Sequence, residues 1–159
     1  MTDVPQASAP TRPDVTTAVS RGACRLWRAR NAAPLVEVPL ADGRRADILA
    51  TAVDGDVAIV EVKSSIEDFR VDQKWRDYLA WCDRFYFAVA ADFPLDILPT
   101  DVGVIVADAF GGEIVRHDPR DPATTRLGAA RRKALLIRCA RLGAERLQRL
   151  VDPQGLAAL

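Results

Sequence analysis

Three residues in two short segments have the types and spacing for joint chemistry. Asp47 lies in Arg44-Arg45-Ala46-Asp47-Ile48-Leu49, among apolar neighbours where an aspartate is disfavoured unless its charge has a partner. Glu61 and Lys63 are two apart in Ala58-Ile59-Val60-Glu61-Val62-Lys63, so in a strand they project to one side while Val60 and Val62 project to the other. Antiparallel pairing of the two segments brings Asp47 beside Glu61 on one sheet face. Two carboxylates at that range repel unless a divalent cation or a base lies between them. Hard oxygen ligands with an ammonium nearby suit Mg2+ or Mn2+ and phosphoryl chemistry, in which the metal polarises a phosphate oxygen and lowers the pKa of a bound water. Asp47, Glu61 and the Val62 carbonyl are the expected ligands. Lys63 would orient or deprotonate the water and stabilise charge developing on the phosphorane. A buried Asp-Lys-Glu ion cluster satisfies the same charges without a metal, and spacing alone does not separate the two readings.

Lysine is scarce, which sharpens the interest in Lys63. Only Lys63, Lys74 and Lys133 occur among 22 basic residues, the rest being arginine. Arginine at position 63 could still form ion pairs but could not release a proton near neutral pH.

The elements that must hold these residues follow from pattern. Met1 to Pro13 is rich in Pro, Ser, Ala and Thr and reads as a disordered lead. A first helix is expected from an Asp14 cap to about Asn31, with Val15, Val19, Ala23 and Leu26 inward. Leu35 to Leu40, a hairpin turn at Ala41-Asp42-Gly43, Arg44 to Val53, and Val57 to Lys63 form an antiparallel meander. Ser65 with Asp68 resembles a capping box opening a second helix to about Asp83, its buried stripe being Val71, Trp75, Tyr78 and Cys82. Strands at Phe85 to Ala90, Val102 to Ala107 and Ile114-Val115 follow. A long helix from Thr125 to Val151 comes last, its apolar stripe at Leu136, Ala140, Gly143, Leu147 and Leu150. The expectation is one α/β domain over residues 14–151, with a short tail over 152–159.

Aspartate on the second strand and Glu-x-Lys on the third, within a helix, three strands, helix, strand order, resembles the PD-(D/E)XK nuclease-like superfamily, with its restriction-endonuclease-like core. Ala46-Asp47 stands where that pattern has Pro-Asp. The segments RRADILA, IVEVKSSIEDFR, DQKWRDYLAWCDRFYFAV, GVIVAD and AARRKALLIRCARLGAERL resemble the MmcB family of bacterial DNA-repair proteins over nearly all of Asp14 to Leu150. The resemblance implies the nuclease-like fold, a link to DNA repair and a divalent metal. Members of this fold include proteins that bind nucleic acid without cutting it, so fold alone does not assign hydrolysis.

Further residues are weighed beside the central three. Lys74 and Tyr78 are four apart, hence on one helix face, where many RecB-like members carry glutamine and tyrosine. Lys74 would contact a phosphate or pair with Asp77 or Asp47, while Tyr78 fits the core better. Asp72 and Arg76 are expected as a surface ion pair. Glu37 falls opposite Asp47 if the first hairpin has a three-residue turn and on the other face if it has two. Trp75 and Trp81 fit the core better than base stacking.

Charge is balanced overall, with 22 basic and 22 acidic residues, but residues 116–159 hold ten basic against four acidic. Arg131, Arg138 and Arg141 on the last helix are the expected contacts to a DNA backbone. Thin basic coverage near the motif predicts weak DNA affinity for the monomer, or a homodimer or repair-protein partner that completes the groove.

Other classes are excluded more readily. His117, the only histidine, lies in a loop-like setting and gives a Ser or Cys triad no credible base. No Gly-rich loop opens a helix. Cys24, Cys82 and Cys139 form no C-x-x-C pair and read as buried small hydrophobes in a reducing cytoplasm. Neither an N-terminal apolar region nor a bilayer-length apolar run occurs, so a cytoplasmic protein is the expectation.

Overall fold

In the computed structural model, which describes residues 11–155, six strands form one sheet in sequential order. They are β1 (Ala33–Pro39), β2 (Arg45–Thr51), β3 (Val57–Lys63), β4 (Arg84–Val89), β5 (Gly103–Ala107) and β6 (Gly112–Arg116). The meander β1-β2-β3 is antiparallel, β4 and β5 join parallel to β3, and β6 returns antiparallel. Every strand lies within two residues of its expected bounds. The expected α/β core is therefore present, and β3, buried along its whole length, runs through its middle.

Helix α1 (Arg12–Ala29) covers one sheet face. Val19 and Ala23 pack there against Ile48, Val60, Ala88 and Ile105. The helix starts earlier than expected: Thr11 is the cap, donating from its backbone N–H and hydroxyl to Asp14 at 3.0 and 2.6 Å. Residues 11–13 thus belong to the fold rather than to the lead, whose first ten residues lie outside the described ones, as do residues 156–159 of the tail.

Gly22 is where α1 meets the β5–β6 turn. A Cβ there would stand 2.1 Å from the Asp108 carbonyl oxygen and 2.3 Å from that of Gly111, both backbone atoms that cannot rotate aside. Gly22→Ala is expected to destabilise by about 3 kcal/mol, the upper end of overpacking costs. Gly143→Ala, where a Cβ meets open space in a helix interior, is expected to stabilise by up to about 1 kcal/mol. Urea unfolding of both variants checks the pair.

The opposite face carries a broken helix and the long last one. The expected single helix from Ser65 to Asp83 is instead α2 (Ile66–Val71) followed by a 3-10 helix, Trp75–Trp81. The Ser65 cap holds, its hydroxyl accepting from Asp68 N at 3.2 Å. Val71, expected in the buried stripe, is 81% exposed. Trp75 and Tyr78 are core as read, stacked against Phe85. Two further corrections concern the C-terminal helix. It is split into α3 (Pro122–Thr125) and α4 (Ala129–Val151), because Leu127 between them is drawn inward and donates its N–H to Asp83 at 2.7 Å. The buried side of α4 is Leu135 and Cys139, one residue round from the expected stripe; Ala140 is exposed, as are Leu147 and Leu150. Twenty-three residues of helix run about 35 Å, against about 23 Å for the seven-residue strands beneath, so the C-terminal turns overhang the sheet.

Asp83 ties these pieces together. It accepts from Val57 N and Leu127 N, and Arg132 grips both its oxygens at 2.9 and 2.8 Å. Burial pushes its carboxyl up, but the guanidinium and the two amides outweigh that and hold it below the ordinary value. Among the described residues, no helix is long and apolar enough to cross a membrane.

Candidate metal centre

The sheet register puts Asp47 directly beyond the last regular β2–β3 rung, Ile48↔Val60, and so opposite Glu61. Both side chains point to the α4 side of the sheet, with Lys63 one pleat further on. Past that rung the ladder gives way to carboxylates. Asp47 N donates to Glu61 Oε1 at 3.2 Å, and Val62 N donates to Asp47 Oδ2 at 2.8 Å. The two acids are thereby held by backbone groups of each other's strands.

Each carboxylate keeps one oxygen in reserve. Asp47 Oδ1 and Glu61 Oε2 make no hydrogen bond among the described residues. Trp27 Nε1 is the sole fully enclosed side-chain polar atom there without a partner, so these two oxygens retain contact with solvent. In a strand, the N–H and C=O of one residue leave on the same side. The Val62 carbonyl therefore faces the β2 side with its N–H, toward Asp47.

Electrostatics match this crowding. Burial, then the charge on Asp47, push the Glu61 carboxyl up to about 8, with Lys63 opposing. Burial raises Asp47 as well, outweighing the Val62 amide and Lys63. Two acids that resist ionising together, each with an available hard oxygen, are a donor set that a divalent cation fits. Among the described residues no group of three or more His, Cys, Asp or Glu gathers. A cation here would find two carboxylates and a carbonyl as protein donors, a set that suits Mg2+, which keeps several waters and takes phosphate oxygens from substrate.

Lys63 is where the structure departs from the sequence reading. It is 5% exposed, and its ammonium lies 2.6 Å from Asp72 Oδ2. Asp72 was expected to pair with Arg76, which instead meets Asp101 at 2.8 Å. The missed partner also explains the helix break. A buried ammonium left unpaired costs about 3–5 kcal/mol, more than the helical bonds lost when Asp72 turns inward with ψ 81.

The auxiliary residues divide. Glu37 does fall opposite Asp47, because the hairpin has the three-residue turn Ala41-Asp42-Gly43. Its backbone is left-handed, φ 53, and its carboxylate meets Arg45 at 2.6 Å, so it is not a ligand in this arrangement. Lys74 is an exposed residue ahead of the 3-10 helix and does not share a helical face with Tyr78. It pairs with neither Asp77, which Arg44 takes, nor Asp47. Tyr78 donates to the Arg45 carbonyl at 3.0 Å and supports the strand carrying Asp47. On α4, Arg131 donates to the Ala80 carbonyl and lies over the Trp81 ring, Arg138 reaches the Pro39 carbonyl, and Arg141 lines a shallow groove.

Comparison with known proteins bears on this site. The family described as DNA repair protein MmcB-like matches residues 3–154, nearly the whole chain. The chain belongs to the MmcB-like family. No curated protein matches. Among solved structures, the SPO1766 protein of unknown function from Silicibacter pomeroyi is 40% identical, with a TM-score of 0.83 over 89% of this chain and 94% of that one. The MmcB-like assignment points the chain to DNA repair.

Proposed function

We infer that the chain is a metal-dependent nuclease of DNA repair, hydrolysing DNA phosphodiester bonds at Asp47, Glu61 and Lys63. The single observation that carries this is the pairing of half-buried Asp47 with buried Glu61, each holding one carboxylate oxygen on a backbone amide of the other's strand while the second oxygen makes no hydrogen bond among the described residues. The resemblance to the PD-(D/E)XK nuclease-like superfamily supports the same reading.

A bound Mg2+ or Mn2+ supplies Lewis acidity to a phosphate oxygen and a water of lowered pKa. Asp47 Oδ1, Glu61 Oε2 and the Val62 carbonyl would hold it. Lys63 contributes fixed positive charge beside the reacting phosphate, oriented by Asp72, where negative charge builds as the water oxygen bonds to phosphorus. The water gives up a proton to solvent as its oxygen bonds to phosphorus, the P–O ester bond breaks, and the departing sugar oxygen takes a proton from solvent, so one water is consumed per bond cut.

A second reading has one observation in its favour. The Lys63–Asp72 pair is already satisfied without phosphate or metal, as in a noncatalytic DNA-binding or partner-binding module that keeps the fold. Incubating the purified chain, with Mg2+ or Mn2+, with single-stranded, duplex, flapped and branched DNA separates the two. Cleavage of any of them supports the nuclease; binding to DNA with every substrate left whole in both metals sinks it in favour of the module.

A further inference from the structure

Two of the three α4 arginines expected to track DNA are engaged within the chain, Arg131 at 2.7 Å from the Ala80 carbonyl and Arg138 at 3.3 Å from that of Pro39. The segment from Ile66 to Tyr78 has the opposite balance. Each of its carboxylates has a partner: Glu67 meets Arg12 at 3.3 Å, Asp72 meets Lys63, Asp77 meets Arg44, and Asp68 accepts from Ser64 N and Oγ at 3.0 and 3.1 Å. Arg76 is taken by Asp101. Arg70 and Lys74, both exposed, have no side-chain partner among the described residues. They are the cations this segment leaves for a ligand.

Their position is specific. They bracket Asp72, whose Oδ1 accepts from Lys74 N at 3.2 Å while its Oδ2 holds Lys63. Lys63 in turn stands two residues from Glu61 on the same strand face. The other cations without partners among the described residues lie elsewhere. Arg21 and Arg28 on α1 and Arg30 at its end are across the sheet from the carboxylates, and Lys133 and Arg141 on α4 share no bond with any site residue. Exposed ammonium and guanidinium groups free of internal carboxylates are what a phosphodiester backbone displaces counterions to reach.

Resting on the nuclease reading for where the scissile strand lies, we propose that Arg70 and Lys74 are phosphate contacts that bring the DNA backbone to Asp47 and Glu61, in place of Arg131 and Arg138. Such contacts set register on the strand and carry no base preference. The helix break at Asp72 thus has two outcomes: one side of it orients Lys63, and its flanks grip the strand.

The test is binding alone, in EDTA, so that failure of cleavage does not bear on it. Fluorescence anisotropy is read with a labelled oligonucleotide, single-stranded and duplex, across a range of salt. The double variant Arg70→Ala/Lys74→Ala is expected to bind about tenfold more weakly at low salt, with the log–log salt slope smaller by about 2 and its melting temperature unchanged. Arg131→Ala/Arg138→Ala, the comparison, is expected to stay within about twofold of the native chain. Native-like affinity and slope in the Arg70/Lys74 variant, an equal or larger loss in the Arg131/Arg138 variant, or no DNA binding by the native chain overturns the proposal. Binding by this surface without cleavage would uphold it while removing the nuclease reading.

Discussion

Asp47→Asn is expected to lower metal-dependent DNA cleavage by at least about 10^3-fold while leaving the fold intact. The choice of asparagine over alanine matters. Asp47 Oδ2 accepts the Val62 N–H at 2.8 Å, and alanine would leave that amide unpaired at a cost of about 1–3 kcal/mol. Asparagine keeps an acceptor there and removes the charge. A loss of cleavage in this variant therefore reports on the chemistry and not on β2–β3 pairing. Cleavage within tenfold of the native rate, with the same metals and DNA, would place the reaction elsewhere.

Glu61→Gln should stabilise the metal-free protein, and the gain should grow with pH. The sign follows from proton linkage. With its folded pKa pushed up to about 8 from an ordinary 4.5, Glu61 holds a proton in the folded state that the unfolded chain has released. Between those values the folded state binds more protons, so stability falls as pH rises through the window. Glutamine resembles the protonated acid and does not titrate. Its advantage is absent near pH 4.5, grows upward, and is complete above pH 8, where about 1–3 kcal/mol is expected for relieving a buried like-charge pair. The same substitution removes a charged ligand, so added Mn2+ should stabilise the variant far less than the native chain. Urea unfolding at several pH values, with and without Mn2+, checks both halves. A variant less stable than the native chain at high pH would contradict the account of Glu61.

Much of this site is legible in the chain because short-range rules fix it. Asp54-Gly55-Asp56 and Ser64-Ser65 bound an apolar run whose ends match β3 to the residue. The turn at Asp54-Gly55 sets the β2–β3 register that faces Asp47 with Glu61, as the Ala41-Asp42-Gly43 turn sets the one that faces Glu37 with Asp47. The helix break is invisible at that range, since Val71, Trp75, Tyr78 and Cys82 have the spacing of one continuous amphipathic helix. What decides against it is a long-range demand: a lysine buried on β3 needs a carboxylate, and Asp72 can supply one only by leaving the helix. The α4 stripe fails for a related reason. Periodicity finds that a face exists, while the phase and the extent buried depend on how far the sheet reaches beneath it. Arginines are the least legible, because their long side chains find backbone carbonyls such as those of Ala80 and Pro39 without leaving any periodic trace.

A divalent cation held by Asp47 and Glu61 together can be read without any DNA. Melting temperature at pH 8, with and without millimolar Mn2+, is read for the native chain and for Asp47→Asn. A clear rise with Mn2+ is expected for the native chain and little or none for the variant, since binding to the folded state alone stabilises it. An equal rise in both proteins, or none in the native chain, would contradict such a site.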